Sequence, residues 1–123
     1  MKEMVAEAQS RVATISPEQA AKGDVSAALV LDVREPGELE THGRVPDALH
    51  VPRGLVESRA DATAKTAEAR LTDLRDTGCV QVLCGSGARA ALVADTLRVM
   101  GYDATVIEGG FEAWKAKGLP VET

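Results

Sequence analysis

Four short apolar runs constrain this chain more than any other feature. Ala28-Leu29-Val30-Leu31-Asp32-Val33 is continuous apart from one acid, and Cys79-Val80-Gln81-Val82-Leu83, Ala104-Thr105-Val106-Ile107 and the brief Leu49 to Val51 share its apolar, β-branched character. Such runs suit strands buried on both faces of a parallel sheet. Helical patterns lie between them, and strands alternating with helices give an α/β chain with a parallel sheet. Only Tyr102, Phe111 and Trp114 are aromatic. The core must therefore come from Val, Leu, Ile and Ala packed between close elements.

The helical stretches carry their own punctuation. Met1, Met4, Val5, Ala8 and Val12 recur at helical spacing and predict an amphipathic arm that ends near Thr14. Ser16-Pro17-Glu18-Gln19 supplies an N-cap, a proline at the first helical position and a Gln three residues after the cap, so a short helix runs to about Gly23. A brief helix follows Pro36 and Gly37 through Glu38 to Thr41. The Ala-rich, charged stretch from Gly54 to Asp76 predicts helical turns on the surface rather than core. A longer helix spans Ala88 to Met100, with Ala91, Leu92, Val99 and Met100 on its apolar face and Gly101 as its cap. The last helix covers Phe111 to Lys117, closed by Gly118 with Pro120 beyond. With 123 residues there is room for one domain, read as residues 15–123 behind an arm of residues 1–14.

Composition narrows the functional classes. A 45% hydrophobic and 27% charged chain resembles ordinary globular usage, not disorder. The net charge of −5, with no block of Lys and Arg, argues against nucleic-acid binding, so an anionic ligand would need a local positive pocket. No apolar run approaches the ~20 residues of a membrane span. Glu3 and Glu7 stand where a signal peptide would be apolar, and the expected location is the cytoplasm. Cys79 and Cys84 match neither a zinc pair nor a Cys-x-x-Cys motif, and an extended strand between them holds their Cα atoms beyond the ~7 Å of a disulfide. Free thiols are expected. Neither a metal nor an organic cofactor is called for.

The chemistry concentrates in Cys84-Gly85-Ser86-Gly87-Ala88-Arg89, set between a buried strand and a helix. Glycines let the backbone curl through positive φ, so that successive N–H groups converge into an anion-binding nest. The helix start adds unpaired donors and the positive end of its dipole to the same point. Cys84 lies where that field is largest, which favours thiolate over thiol. Arg89 is the only charged side chain between Asp76 and Asp95, so nothing nearby in sequence neutralises it and it can clamp an anionic group. Cys79, at a strand start without a glycine loop, reads as a buried packing residue. His42 and His50 are the only histidines, accompany no nucleophile motif and read as surface or packing residues.

Beyond the loop, three further segments carry a resemblance. Leu31-Asp32-Val33-Arg34-Glu35-Pro36, Gly43-Arg44-Val45-Pro46-Asp47-Ala48, the Cys84 loop, and Glu108-Gly-Gly-Phe-Glu-Ala-Trp114 with Gly118-Leu119-Pro120-Val121 stand in the order of the signatures of the rhodanese-like sulfurtransferase family. Together they span Ile15 to Val121. The resemblance implies a five-stranded parallel sheet flanked by helices on both faces, with the Cys loop at the carboxyl ends of the strands. It also implies ping-pong sulfur transfer through a Cys84 persulfide, from a small donor such as thiosulfate or 3-mercaptopyruvate to a thiol, cyanide-like or protein acceptor. Loop N–H groups from Gly85 through Ser86, Gly87 and Ala88 to Arg89 would hold the persulfide anion, with Asp32 as a support and Arg34 as a support able to reach substrate.

The pattern departs from the family at Arg44, where His is usual, at Asp47, where Gly is usual, and at Gly85, where many single-domain relatives have a basic residue. A Cys-Gly-Ser-Gly start is similar to the mercaptopyruvate-using branch, although that branch closes its loop with Thr rather than Arg89. Three rival readings were open to this loop. A phosphatase or arsenate-reductase cradle needs five residues between Cys and Arg, and position 90 is Ala90. A partner-dependent carrier or regulatory module would keep the same residues. A dinucleotide fingerprint leaves the Cys without a purpose.

Overall fold

The computed structural model of the protein describes residues 2–23 and 27–123. Helix α1 (Lys2–Arg11) leads into strand β1 (Ala13–Ile15), followed by α2 (Pro17–Lys22), β2 (Ala28–Asp32), α3 (Pro36–His42) and β3 (Leu49–His50). A single 3-10 turn at Arg53–Leu55 precedes α4 (Val56–Ala60) and α5 (Ala69–Thr72). The chain then forms β4 (Cys79–Leu83), α6 (Ala88–Val99), β5 (Asp103–Ile107) and α7 (Gly110–Ala116). The strands make one sheet in the order β1-β5-β4-β2-β3, and every pairing is parallel.

The central strands form where the apolar runs predicted them, because each faces a helical layer on both sides. All five residues of β4 are buried. Alternate positions serve opposite cores: Leu31, Val80, Val82, Ala104 and Val106 face α1, α4, α5 and α6, while Leu83 and Ile107 face Phe111 and Trp114 of α7 and Ala20 of α2. The cap of α2 takes the expected form, with Ser16 accepting from the Gln19 N–H at 3.1 Å and Gly23 closing it at φ +66. The chain order reverses between β2 and β4, so their carboxyl ends flank the switch point where parallel sheets open a crevice.

Four expectations change. The N-terminal helix ends at Arg11 rather than near Thr14, and Ala13–Ile15 becomes the fifth strand by pairing with Thr105 to Ile107 of β5. Its apolar stripe is only partly used, with Ala8 buried and Met4 60% exposed. Val99 does not face the core; it is 77% exposed. The buried stripe of α6 runs through Ala90, Ala91, Val93, Ala94 and Leu97, and Val99 lies about 200° around the helix from Leu97. The segment from Gly54 to Asp76 contributes core after all, because Val56, Ala60 and Leu71 are buried and the Tyr102 hydroxyl donates to the Ala60 carbonyl at 2.6 Å. The β3 pairing also stops one residue early, at His50.

No helix among the described residues is long and apolar enough to cross a membrane.

Leu71 is fully buried within the larger cluster. Leu71→Ala should lower the unfolding free energy by about 3 kcal/mol, whereas Val99→Ala should change it by less than about 0.5 kcal/mol. Urea titration of both variants checks this; a near-neutral Leu71→Ala would return the segment to the surface.

Candidate active site

The end of β4 delivers Cys84 into a tight turn that the start of α6 completes. The residue is fully buried, and its sulfur accepts the backbone N–H groups of Gly87 at 3.0 Å and Ala90 at 3.3 Å. Gly87 makes the curl possible at φ +115, a region that side-chain-bearing residues avoid. Two amides thus converge on this sulfur at the start of a helix, the geometry of an anion-binding nest.

Helix α7 holds the loop from the other side. The N–H of Phe111 donates to the Cys84 carbonyl at 2.7 Å, and the N–H of Glu112 donates to the Gly85 carbonyl at 3.1 Å. These bonds engage the Cys84 and Gly85 carbonyls on the α7 side of the loop. The approach requires Gly110, since a Cβ there would collide with the Cys84 carbonyl oxygen and sit 2.7 Å from that of Gly85.

Asp32 and Arg34, at the end of β2, form a second fixed layer. Arg34 is 1% exposed, and its guanidinium bonds Asp32 at 3.0 and 2.7 Å and the Gly43 carbonyl at 3.0 Å while lying 4.0 Å over the Phe111 ring. His50 donates from its ring nitrogen to the Arg34 carbonyl at 2.8 Å. This histidine therefore secures the layer from β3.

Arg89 faces the loop, but it is not the isolated charge that the sequence predicts. Its two terminal nitrogens each donate to Glu38 of α3 at 2.7 Å. Glu38 also accepts the Glu35 N–H at 2.8 Å, which closes the capping box of α3. The guanidinium holds the Glu38 carboxyl down at about 2, and the carboxylate in turn raises Arg89 above its ordinary value. Gly85 leaves space for this pair, because a Cβ on it would lie 3.0 Å from Arg89 Nη2 and 3.6 Å from Glu38 Oε1.

Beside the loop, a cleft of about 420 Å3 opens between α3 and α7, lined by Arg34, Glu38, His42, Gly85, Phe111 and Lys115 among others. On the other side of the loop, Ser86 and Gly87 border a hollow of about 130 Å3 together with Thr14 and Glu108. The candidate residues thus separate: Gly85 faces the cleft, Ser86 and Gly87 face the hollow, and Ala88 opens α6. Sequence reasoning missed Glu38, Phe111, Gly110 and Lys115 as parts of the site. Glu38 left one trace, a carboxylate at the third position of a helix that follows Glu35-Pro36. Cys79 is buried and free, at the amino end of β4; burial, with Asp103 nearby, pushes its thiol up.

Comparison with known protein families identifies the family of this chain. Residues 16–117 match the family model of the rhodanese-like domain. The chain is 32% identical over 115 residues to a Mycobacterium tuberculosis protein named "Putative thiosulfate sulfurtransferase SseB", covering 84% of this chain and 39% of that one. It is 30% identical over 89 residues to "Putative sulfur carrier protein YrkF" of Bacillus subtilis, covering 72% of this chain and 42% of that one. The chain thus spans about two fifths of each of these curated relatives. A solved structure from Rhodopseudomonas palustris, described as a "Protein of Unknown Function RPA3614, Possible Tyrosine Phosphatase", superposes with a TM-score of 0.90 at 32% identity, covering 98% of this chain and 92% of that one.

The Glu38–Arg89 pair has a pH signature. The folded Glu38 carboxyl lies below the ordinary 4.5, so its contribution is complete above that value and is lost as pH falls towards about 2. Both side chains are about one-third exposed, which makes the contribution modest. The stability difference between wild type and Glu38→Gln should shrink as pH falls through that window, read from urea midpoints. A difference constant with pH would mean that the pair is not formed in solution.

Proposed function

The chain belongs to the rhodanese-like domain family, and on that premise we propose that it is a sulfurtransferase that carries sulfur on Cys84. The Cys84 thiolate attacks the outer sulfur of a small donor, thiosulfate or 3-mercaptopyruvate. The bond from that sulfur to the rest of the donor breaks, the remainder leaves with the electron pair, and Cys84 holds a persulfide. A thiol or cyanide-like acceptor then attacks the outer sulfur and restores the Cys84 thiolate. The observation that carries this reading is the pair of amides, Gly87 and Ala90, already directed at the Cys84 sulfur. The same curl, with the N–H groups of Gly85, Ser86, Ala88 and Arg89 nearby, would receive the terminal sulfur of the persulfide.

Asp32 serves as a structural support in this scheme. Arg34 contributes a wall of the cleft with most of its donors already engaged. With the sulfur fully covered, loading requires local motion of the loop. Two free cysteines suit a cytoplasmic setting, where thiols stay reduced.

Two other readings have a specific basis. The name of the B. subtilis relative favours a carrier that passes sulfur to a protein partner, which would show persulfide formation with slow turnover on small acceptors. The name of the R. palustris structure favours phosphate chemistry. Against it stand the short loop, with Arg89 five positions after Cys84, and the engagement of Arg89 by Glu38.

Intact mass after incubation with each donor should show one added sulfur on the wild type and on Cys79→Ser, and none on Cys84→Ser, whose hydroxyl is not ionised at neutral pH. Sulfur retained by Cys84→Ser would sink the assignment. So would hydrolysis of p-nitrophenyl phosphate that depends on Cys84 in a protein that takes up no sulfur.

A further inference from the structure

The cations around the loop are unequally available to a ligand. Arg34 is buried and paired with Asp32, and Arg89 makes two 2.7 Å bonds to Glu38. An anion that used the terminal nitrogens of Arg89 would compete with Glu38, and one that used Arg34 would meet only its Nη1, since Nε and Nη2 are held by Asp32 and the Gly43 carbonyl. Lys115, one turn along α7 from Phe111, is exposed, lines the same cleft as Gly85 and has no ion-pair partner among the described residues. Glu112 lines this cleft as well, and its carboxylate has no ion pair among the described residues either. Lys115 offers one ammonium, enough to meet a single carboxylate, and the Glu112 carboxylate on the same wall repels any further negative charge.

Size and surface point the same way. The cleft's volume of about 420 Å3 falls within the roughly 300–1,000 Å3 of pockets that hold organic ligands. Phe111 and Ala116 give its α7 wall an apolar component. Gly85, the residue after Cys84, lines the cleft, so once the loop moves to uncover the Cys84 sulfur a ligand with its sulfur at Gly85 can extend its carbon skeleton towards α7.

We propose that Lys115 is a specificity-determining residue that binds the carboxylate of an organic sulfur donor in the α3–α7 cleft, selecting such donors over thiosulfate. The inference rests on Cys84 as the sulfur carrier. With 3-mercaptopyruvate as donor, the Cys84 thiolate forms an S–S bond to the donor sulfur while the carbon–sulfur bond breaks. The electron pair goes to carbon, which takes the proton from sulfur, leaving pyruvate and the Cys84 persulfide anion. Lys115 takes no part in these bond changes. It holds the carboxylate that both donor and product retain.

The test compares sulfur loading of Cys84 by quenched intact mass at rising concentrations of three donors. These are 3-mercaptopyruvate, its uncharged analogue 1-mercapto-2-propanone, and thiosulfate. Wild type should load fastest from the acid. Lys115→Ala should slow loading from the acid at low concentration about fivefold while changing loading from the ketone by less than about twofold, and Lys115→Arg should restore most of the loss. Lys115 is exposed, so these variants fold. Equal losses for acid and ketone, no loss for either, or thiosulfate as the fastest wild-type donor would overturn the role of Lys115. Failure of every donor to load wild-type Cys84 is a different result and would remove the sulfurtransferase reading together with this inference.

Discussion

The buried Asp32–Arg34 pair fixes the geometry on which the rest of the site is built. Both side chains are 1% exposed, so removing one partner would strand a charge in the interior, at roughly 3–5 kcal/mol. Such a pair is better tolerated when further contacts support it, and here the Gly43 carbonyl accepts from Nη2 and the guanidinium lies over the face of Phe111. Arg34 therefore fastens the end of β2 to the segment after α3 and to the first turn of α7. Phe111 passes that position on, because its own N–H holds the Cys84 carbonyl. Each member of this series, from Asp32 to Cys84, locates the next.

The electrostatic consequence is that the Cys84 sulfur is served mainly by the backbone. Arg89 is the nearest formal cation in sequence, yet its charge is matched by Glu38 at short range, so the pair presents little net charge to the sulfur. What remains is the convergence of peptide N–H groups and the start of α6. Preorganised dipoles of this kind need no counter-charge to move when negative charge develops on sulfur. A loop built so can tolerate Gly85 where a basic residue would otherwise add charge.

Local features were legible in the sequence and long-range ones were not. The curl around Cys84 could be read because its cysteine, glycines and helix start lie within six residues. Strands β2, β4 and β5 could be read because burial on both faces demands continuous apolar runs. Strand β1 gave no such signal: Ala13-Thr14-Ile15 is short, mostly exposed, and becomes a strand only by pairing with residues more than 90 positions away. Val56 and Ala60 form a single i, i+4 pair and Leu71 stands alone in a charged stretch, too little periodicity to announce a buried face. The Arg89–Glu38 pair spans 51 positions, and the positions of α3 and α7 around the loop depend on the topology of the whole sheet. The family resemblance supplied the fifth strand that the run-by-run reading lacked, but not its place at Ala13–Ile15.

The most direct measurement is the amide spectrum of 15N-labelled protein before and after one sulfur is loaded. With the persulfide seated in the loop, the Gly87 and Ala90 resonances should move most, together with their neighbours from Gly85 to Arg89, while those around Cys79 at the other end of β4 stay in place. Loaded protein with unchanged loop amides, or with shifts centred on Cys79, would contradict a cradle built around Cys84.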